Sequence, residues 1–128
     1  MGKEAEKIVL EYFRTKRNIH LVKRERGERG FDFRTKDSRL FVEVKGSTSD
    51  KLSKAQFRYF TNTEYEKARE CFSKKSNYKI HLVLRVGTGH CKQYKIPAKV
   101  FIEKAKPEIV WSLPIHRGIS QHEIDGCL

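Results

Sequence analysis

Asp32, Glu43 and Lys45 carry the strongest chemical signal in the chain. Two acids and a lysine stand in segments otherwise rich in apolar strand formers, Gly30-Phe31-Asp32-Phe33 and Phe41-Val42-Glu43-Val44-Lys45-Gly46. Residues 31–36 and 40–45 read as strands joined by the polar turn Lys36-Asp37-Ser38-Arg39. A loop of that length pairs Thr35 with Leu40 and therefore Asp32 with Glu43, making the carboxylates cross-strand neighbours. Because strand side chains alternate, Glu43 and Lys45 share a face with Asp32, while Phe31, Phe33, Val42 and Val44 point to an opposite, apolar face. Like charges set opposite each other destabilise a hairpin unless a cation lies between them. The pattern therefore points to a hard divalent metal held by oxygens, Mg²⁺ with Mn²⁺ as its substitute. An ammonium two residues beyond such a carboxylate can orient or help deprotonate an attacking water and offset charge developing on a phosphate. The plainer reading is a solvated hairpin face with a harmless charge cluster. The register of Asp32 and the glycine directly after Lys45 favour the catalytic reading.

Other chemistries find little footing. Cys71, Cys91 and Cys127 are widely spaced and odd in number, without the Cys-x-x-Cys interval of a zinc site or the pattern of a disulfide framework. His90 adjoins Cys91 but no second ligand pair lies at a suitable distance, and His20, His81, His116 and His122 are isolated. Gly87-Thr88-Gly89 lacks the helix and lysine that a phosphate loop requires.

The 128 residues carry 28 Lys and Arg against 16 Asp and Glu, a net charge of +12. That length suits one domain, 1–128, with a core over about 2–106 and a C-terminal extension at 107–128. The field of so basic a body favours a polyanion, and DNA is the expected partner. The basic residues are spread through folded segments rather than gathered in a tail. Arg24, Arg26, Arg29, Lys51, Lys54 and Arg58 are the candidates for backbone phosphate contacts, which bring affinity without sequence preference. No long apolar span, signal peptide or lipidation motif is recognisable, so the cytoplasm is the expected compartment.

These groups need elements to position them. Ala5, Ile8, Val9, Tyr12 and Phe13 recur at three- and four-residue steps, predicting a helix over about Lys3 to Lys16 that packs on a sheet. Glu6 lies near one border of that apolar face and Glu4 on the other. Glu6 is placed either to reach a metal site or to complement the helix dipole, and spacing alone leaves both open. Ile19 to Val22 reads as a short strand, and Arg24 to Arg29 as a charged loop with Gly27 and Gly30 freeing its backbone. Asn62 or Thr63 caps a helix from about Glu64 to Ser73, with Tyr65, Ala68 and Phe72 inward. Ile80 to Val86 suits a central strand, Gln93 to Ile96 its partner, and Pro97 opens a short helix through Lys104. Beyond the apolar run Ile109-Val110-Trp111 the sequence reads as a polar tail.

Helix with an edge glutamate, strand, Asp-bearing strand, Glu-x-Lys strand, helix and apolar strand together resemble the PD-(D/E)XK nuclease superfamily, over roughly Gly2 to Val86. Gly2-Lys3-Glu4-Ala5-Glu6, Gly30-Phe31-Asp32, Val42-Glu43-Val44-Lys45-Gly46 and Thr61-Asn62-Thr63-Glu64-Tyr65 are most similar to the nuclease-like domain at the carboxyl end of the plant protein NO VEIN. The resemblance implies an α/β fold with a restriction endonuclease-like core, a central mixed sheet bearing the catalytic hairpin and flanked by helices. It implies a Mg²⁺-dependent DNA endonuclease leaving 5′-phosphate and 3′-hydroxyl ends, and a homodimer. Asp32 and Glu43 match the metal-binding acids, Lys45 the catalytic lysine, and Glu6 the helix glutamate that completes many such sites. Glu64 matches an acid whose role is unclear. Phe31 replaces the proline of the superfamily's name. The rival readings are a catalytically inert DNA-binding subunit of a restriction or repair complex and an RNA-directed nuclease.

Overall fold

The computed structural model describes residues 2–52, 57, 59–107, 111–113, 115, 119 and 123–124. The apolar stripe near the N-terminus forms helix α1 (Gly2–Lys16), with Ala5, Val9 and Phe13 buried. Then come β1 (Val22–Lys23), β2 (Phe33–Arg34), β3 (Leu40–Gly46), β4 (Tyr59–Phe60), α2 (Asn62–Ser73), β5 (Asn77–Leu84), β6 (Lys92–Pro97), α3 (Ala98–Lys104) and β7 (Trp111–Ser112). Five strands make one sheet in the order β1-β2-β3-β5-β6, and β4 pairs with β7 in a separate ribbon. Within the main sheet β3 and β5 run parallel and the other neighbours antiparallel. The fold is thus α/β, a mixed sheet flanked by three helices in a restriction endonuclease-like core.

Alternation along β3 distributes the core. Val42 and Val44 pack with Ala5, Val9 and Phe13 of α1, together with Phe33 and Val83. On the other face, Phe41 joins Phe31, Tyr78, Ile80, Leu82 and Leu84 beneath Ala68 and Cys71 of α2 and Phe101 of α3. With both faces covered, β3 is nearly as buried as a strand of an all-parallel sheet, and the expectation of one core face and one open chemical face gives way. Glu43 is only 4% exposed.

The pairing Phe33↔Val42 and Arg34↔Phe41 has the register expected from the turn. It stops one residue short of Asp32, however, so Asp32 and Glu43 are not a ladder pair. The Asp32 N–H donates instead to the Val42 carbonyl (2.9 Å), the residue that Phe33 already faces. This extra residue turns Phe31 away from Phe33: the Phe31 ring meets Phe41 edge-on at 4.8 Å in the α2-side cluster, while Phe33 lies in the α1-side cluster.

Other boundaries shift for local reasons. The strand expected at Ile19 to Val22 is β1 at Val22–Lys23, and the strand expected from Ile80 begins at Asn77, hydrogen-bonded to Arg39. In α2 the buried residues are Ala68 and Cys71, and Phe72 is 55% exposed. Lys67 lies inward instead, across the Phe41 ring, its Nζ 4.3 Å from the centroid. After α3, Leu113, Ile115, Ile119 and Ile124 are buried in the α2-side cluster, so this segment is not simply a polar tail. No described helix is long and apolar enough to cross a membrane.

Candidate functional site

The site is assembled where the loop before β2, the middle of β3 and the start of α2 meet. That close approach depends on Gly30, whose φ is +88° and whose position would bring a Cβ within 2.6 Å of Lys67 Cβ and 2.7 Å of the Thr63 carbonyl. The buried Tyr78 hydroxyl donates to the Gly30 carbonyl at 2.8 Å, holding the loop from β5. Asp32 follows with its own backbone fixed, its carbonyl accepting from the Arg24 N–H at 2.9 Å. Its carboxylate Oδ2 accepts from the Val44 N–H at 2.8 Å, taking the place of a ladder partner. Burial raises the Asp32 pKa, opposed by that backbone hydrogen bond and reinforced by the charge of Glu6.

Glu43 stands beside Asp32, within hydrogen-bonding reach of it, on the α2 face. Burial, then repulsion from Glu64 and Asp32, pushes its carboxyl up to about 9, with Lys45 offsetting only part of the effect. Without a further cation, Glu43 is therefore protonated at neutral pH. Lys45 is gripped from both sides, its Nζ 3.3 Å from Glu43 Oε2 and 3.3 Å from Glu64 Oε2, over the Phe60 ring at 5.1 Å. Burial alone would lower the ammonium's pKa, but in the alkaline range where it titrates Glu43 is ionised too, and the charges of Glu43 and Glu64 outweigh burial and hold the pKa above the ordinary lysine value.

Glu64 owes its placement to a capping box. Thr61, not Asn62 or Thr63, is the N-cap of α2: its Oγ1 accepts from the Glu64 N–H at 3.1 Å, and Glu64 Oε1 accepts from the Thr61 N–H at 2.9 Å. A cavity of about 350 Å³ opens between these elements, lined by Asp32, Glu43 and Glu64, with Arg24 and Arg29 on its wall.

Of the residues singled out in the sequence, the structure brings Asp32, Glu43 and Lys45 together and sets Arg24 and Arg29 against them. Glu6 does not line the cavity; its Oε1 is 2.7 Å from Lys23 Nζ, and it reaches Asp32 only through its charge. Arg26 and Lys51 are exposed outside the cavity lining. Lys54 and Arg58 lie outside the described residues, as do Cys127, His116 and His122. Among the described residues no group of three or more His, Cys, Asp and Glu is assembled to hold a metal ion. The acids placed to contribute oxygens are Asp32 and Glu43, with Glu64 next to them.

Residues 5–96 match the family model for Protein NO VEIN, C-terminal. The chain belongs to that family. No curated protein matches it. The matched stretch spans every acid of the cavity, Asp32, Glu43 and Glu64, as well as Glu6 and the Tyr78 that braces the loop. The NO VEIN C-terminal family is nuclease-like. In this NO VEIN C-terminal domain, Thr61, Tyr78 and Lys23 join the site without having been singled out. Only Thr61 carries a local signal, the Thr-x-x-Glu spacing of a capping box; Tyr78 and Lys23 reach the site through tertiary packing.

Proposed function

We propose that this domain is a metal-dependent DNA endonuclease of the PD-(D/E)XK type that hydrolyses phosphodiester bonds. The observation that carries the reading is the meeting of Asp32 and Glu43 at one cavity walled by Arg24 and Arg29, with the Lys45 ammonium held against Glu43. The donor set suits Mg²⁺, which commonly takes one or two protein carboxylates and fills its remaining positions with water and substrate phosphate. The protonation of an otherwise well-fixed Glu43 supports the same fit, since a cation there would let both carboxyls ionise. Asp32 and Glu43 are the residues that would hold it, with Glu64 nearer than Glu6 as a third acid. When bound, the ion supplies an acidified water and neutralises phosphate charge.

The chain's own groups then divide the work. Asp32 is oriented through the Val44 N–H, so its carboxylate needs no rearrangement to act. Lys45, kept protonated by Glu43 and Glu64, acts by donating a hydrogen bond and positive charge to the attacking water or a phosphate oxygen, not by accepting a proton. Glu64 positions that ammonium through the α2 cap. Arg24 and Arg29 meet the phosphates either side of the cut bond. A symmetric homodimer would present two such centres to the two strands of a duplex.

The test is incubation of supercoiled plasmid, linear duplex and four-way junction DNA with Mg²⁺, Mn²⁺ or EDTA, comparing wild type with Lys45→Ala. Cutting that requires metal and falls at least a hundredfold in the variant, with DNA affinity little changed, is expected from the loss of one charge-stabilising group. Substrates left intact with either metal while DNA still binds would overturn the nuclease reading in favour of an inert binding subunit. A parallel competition with RNA at matched salt identifies the polymer.

A further inference from the structure

A second cavity, of about 530 Å³, shares no lining residue with the acid site. It lies on the α1 face, between the C-terminal end of α1, the turn after β2, and the strands β5 and β6. Its volume falls within the roughly 300–1,000 Å³ of small-molecule sites.

His81 lines this cavity, is 1% exposed, and has no hydrogen-bond partner at either ring nitrogen. The Gln93 amide is close enough to favour the imidazolium, yet no well-formed hydrogen bond joins the two, and Gln93 Oε1 is itself unpartnered. Buried polar groups are ordinarily satisfied, so a buried ring without a well-formed hydrogen bond beside a cavity calls for a partner that the cavity can supply. Burial, aided by the cationic Lys95 and Lys79, lowers the pKa of His81 to about 4. The neutral ring therefore offers one donor and one acceptor. The rings of Phe13 and Tyr12 stand 5.0 Å and 6.0 Å from it, giving the cavity an aromatic wall.

The rest of the lining has the opposite character. Arg17, Arg39, Lys79 and Lys95 face the cavity against a single acid, Asp37. The Arg39 guanidinium meets Asp37 only at 3.7 Å, through side chains 88% and 61% exposed, and Arg17 makes no ion pair among the described residues. Aromatic rings with a neutral donor and acceptor fit a planar heterocycle, and a cationic surround fits a phosphate. A nucleotide combines the two.

We propose that this cavity is a nucleotide-binding site, with the base against Tyr12, Phe13 and His81 and the phosphate held by Arg17 and Arg39. The ligand is either a free mononucleotide or the 5′-phosphorylated end of a nucleic acid. The site is independent of metal and of the acid cluster, so its failure and that of the nuclease reading are distinguishable.

The experiment is titration of the intact protein with AMP, GMP, CMP and UMP in EDTA, followed by calorimetry and by the ring-nitrogen NMR signals of labelled His81. Saturable binding of at least one nucleotide that moves the His81 signals is expected, with the matching nucleoside and inorganic phosphate each at least tenfold weaker. Arg17→Ala/Arg39→Ala, both away from the core, should weaken it at least tenfold, and His81→Phe should do the same with an unchanged circular dichroism spectrum. Competition by a 5′-phosphorylated trinucleotide tenfold stronger than by the mononucleotide identifies a chain end as the natural occupant; equal or weaker competition identifies the free nucleotide. No saturable binding at millimolar nucleotide, or binding untouched by the arginine double variant, overturns the proposal.

Discussion

Burying Glu43 between Asp32 and Glu64 gives the folded protein a proton that the unfolded chain releases at ordinary glutamate pH. The carboxyl moves from 4.5 to about 9, so between those limits the native state binds more protons than the unfolded state and stability falls as pH rises. The largest slope this one group produces is about 1.4 kcal/mol per pH unit. Glu43→Gln removes it. In EDTA, the Tm of the variant minus that of wild type should grow steadily from pH 5 to pH 9; a difference flat across the range would show that Glu43 is not held protonated. The residue types of this site were legible because Asp32, Glu43 and Lys45 break an apolar strand pattern that nothing else in the sequence accounts for. Glu64 was harder to read, since an acid three residues after a threonine is already explained by capping. Glu6 sits at a suitable helix border, yet its pairing with Lys23 depends on where β1 falls, which spacing along the helix does not specify.

At the level of elements, two substitutions that leave the acids and Lys45 in place test how the site is framed. Thr61→Ala removes the Oγ1 that caps α2 by accepting from the Glu64 N–H and should cost about 1 kcal/mol, while the backbone N–H that holds the Glu64 carboxylate stays in place. Gly30→Ala should cost more, because a left-handed φ alone is worth about 1–2 kcal/mol against an L side chain and the new Cβ meets α2 at 2.6 Å. Urea denaturation ranks the two; a Gly30→Ala protein as stable as wild type would mean that the loop before Asp32 does not need this approach. The helices α1 and α3 and the strands β3, β5 and β6 were legible from periodicity and from apolar runs bounded by turns. The early end of β2 was not, because the extra residue at Asp32 is a matter of backbone hydrogen bonding that alternation of side chains conceals. The rotation that exposes Phe72 goes with Lys67 lying inward over the Phe41 ring of β3, a contact no helical wheel contains.

For the molecule as a whole, the charge of +12 sets how affinity depends on salt. On duplex DNA, log K should fall linearly with log salt, by about 0.9 for each phosphate neutralised. Arg24→Ala/Arg29→Ala should flatten that slope by about 1–2 and weaken binding alike on unrelated sequences. Filter binding over a salt series checks it, and a loss confined to one sequence would reassign these arginines to base contacts. Composition carries the expectation of a polyanionic partner. It said nothing of how the cations divide between the acid cavity and the α1 face, because that division is made by the sheet.

The central claim, that Asp32 and Glu43 form a cation site held in check by a proton, is tested most directly by calorimetric titration of Mg²⁺ and Mn²⁺ at pH 7 in two buffers of different ionisation enthalpy. Ligand acids must lose their protons to bind metal, so wild type should bind and release about one proton, Glu43→Gln should release none, and Asp32→Asn/Glu43→Gln should not bind. Absence of binding by wild type to either ion, or binding that survives unchanged in the double variant, would contradict the account.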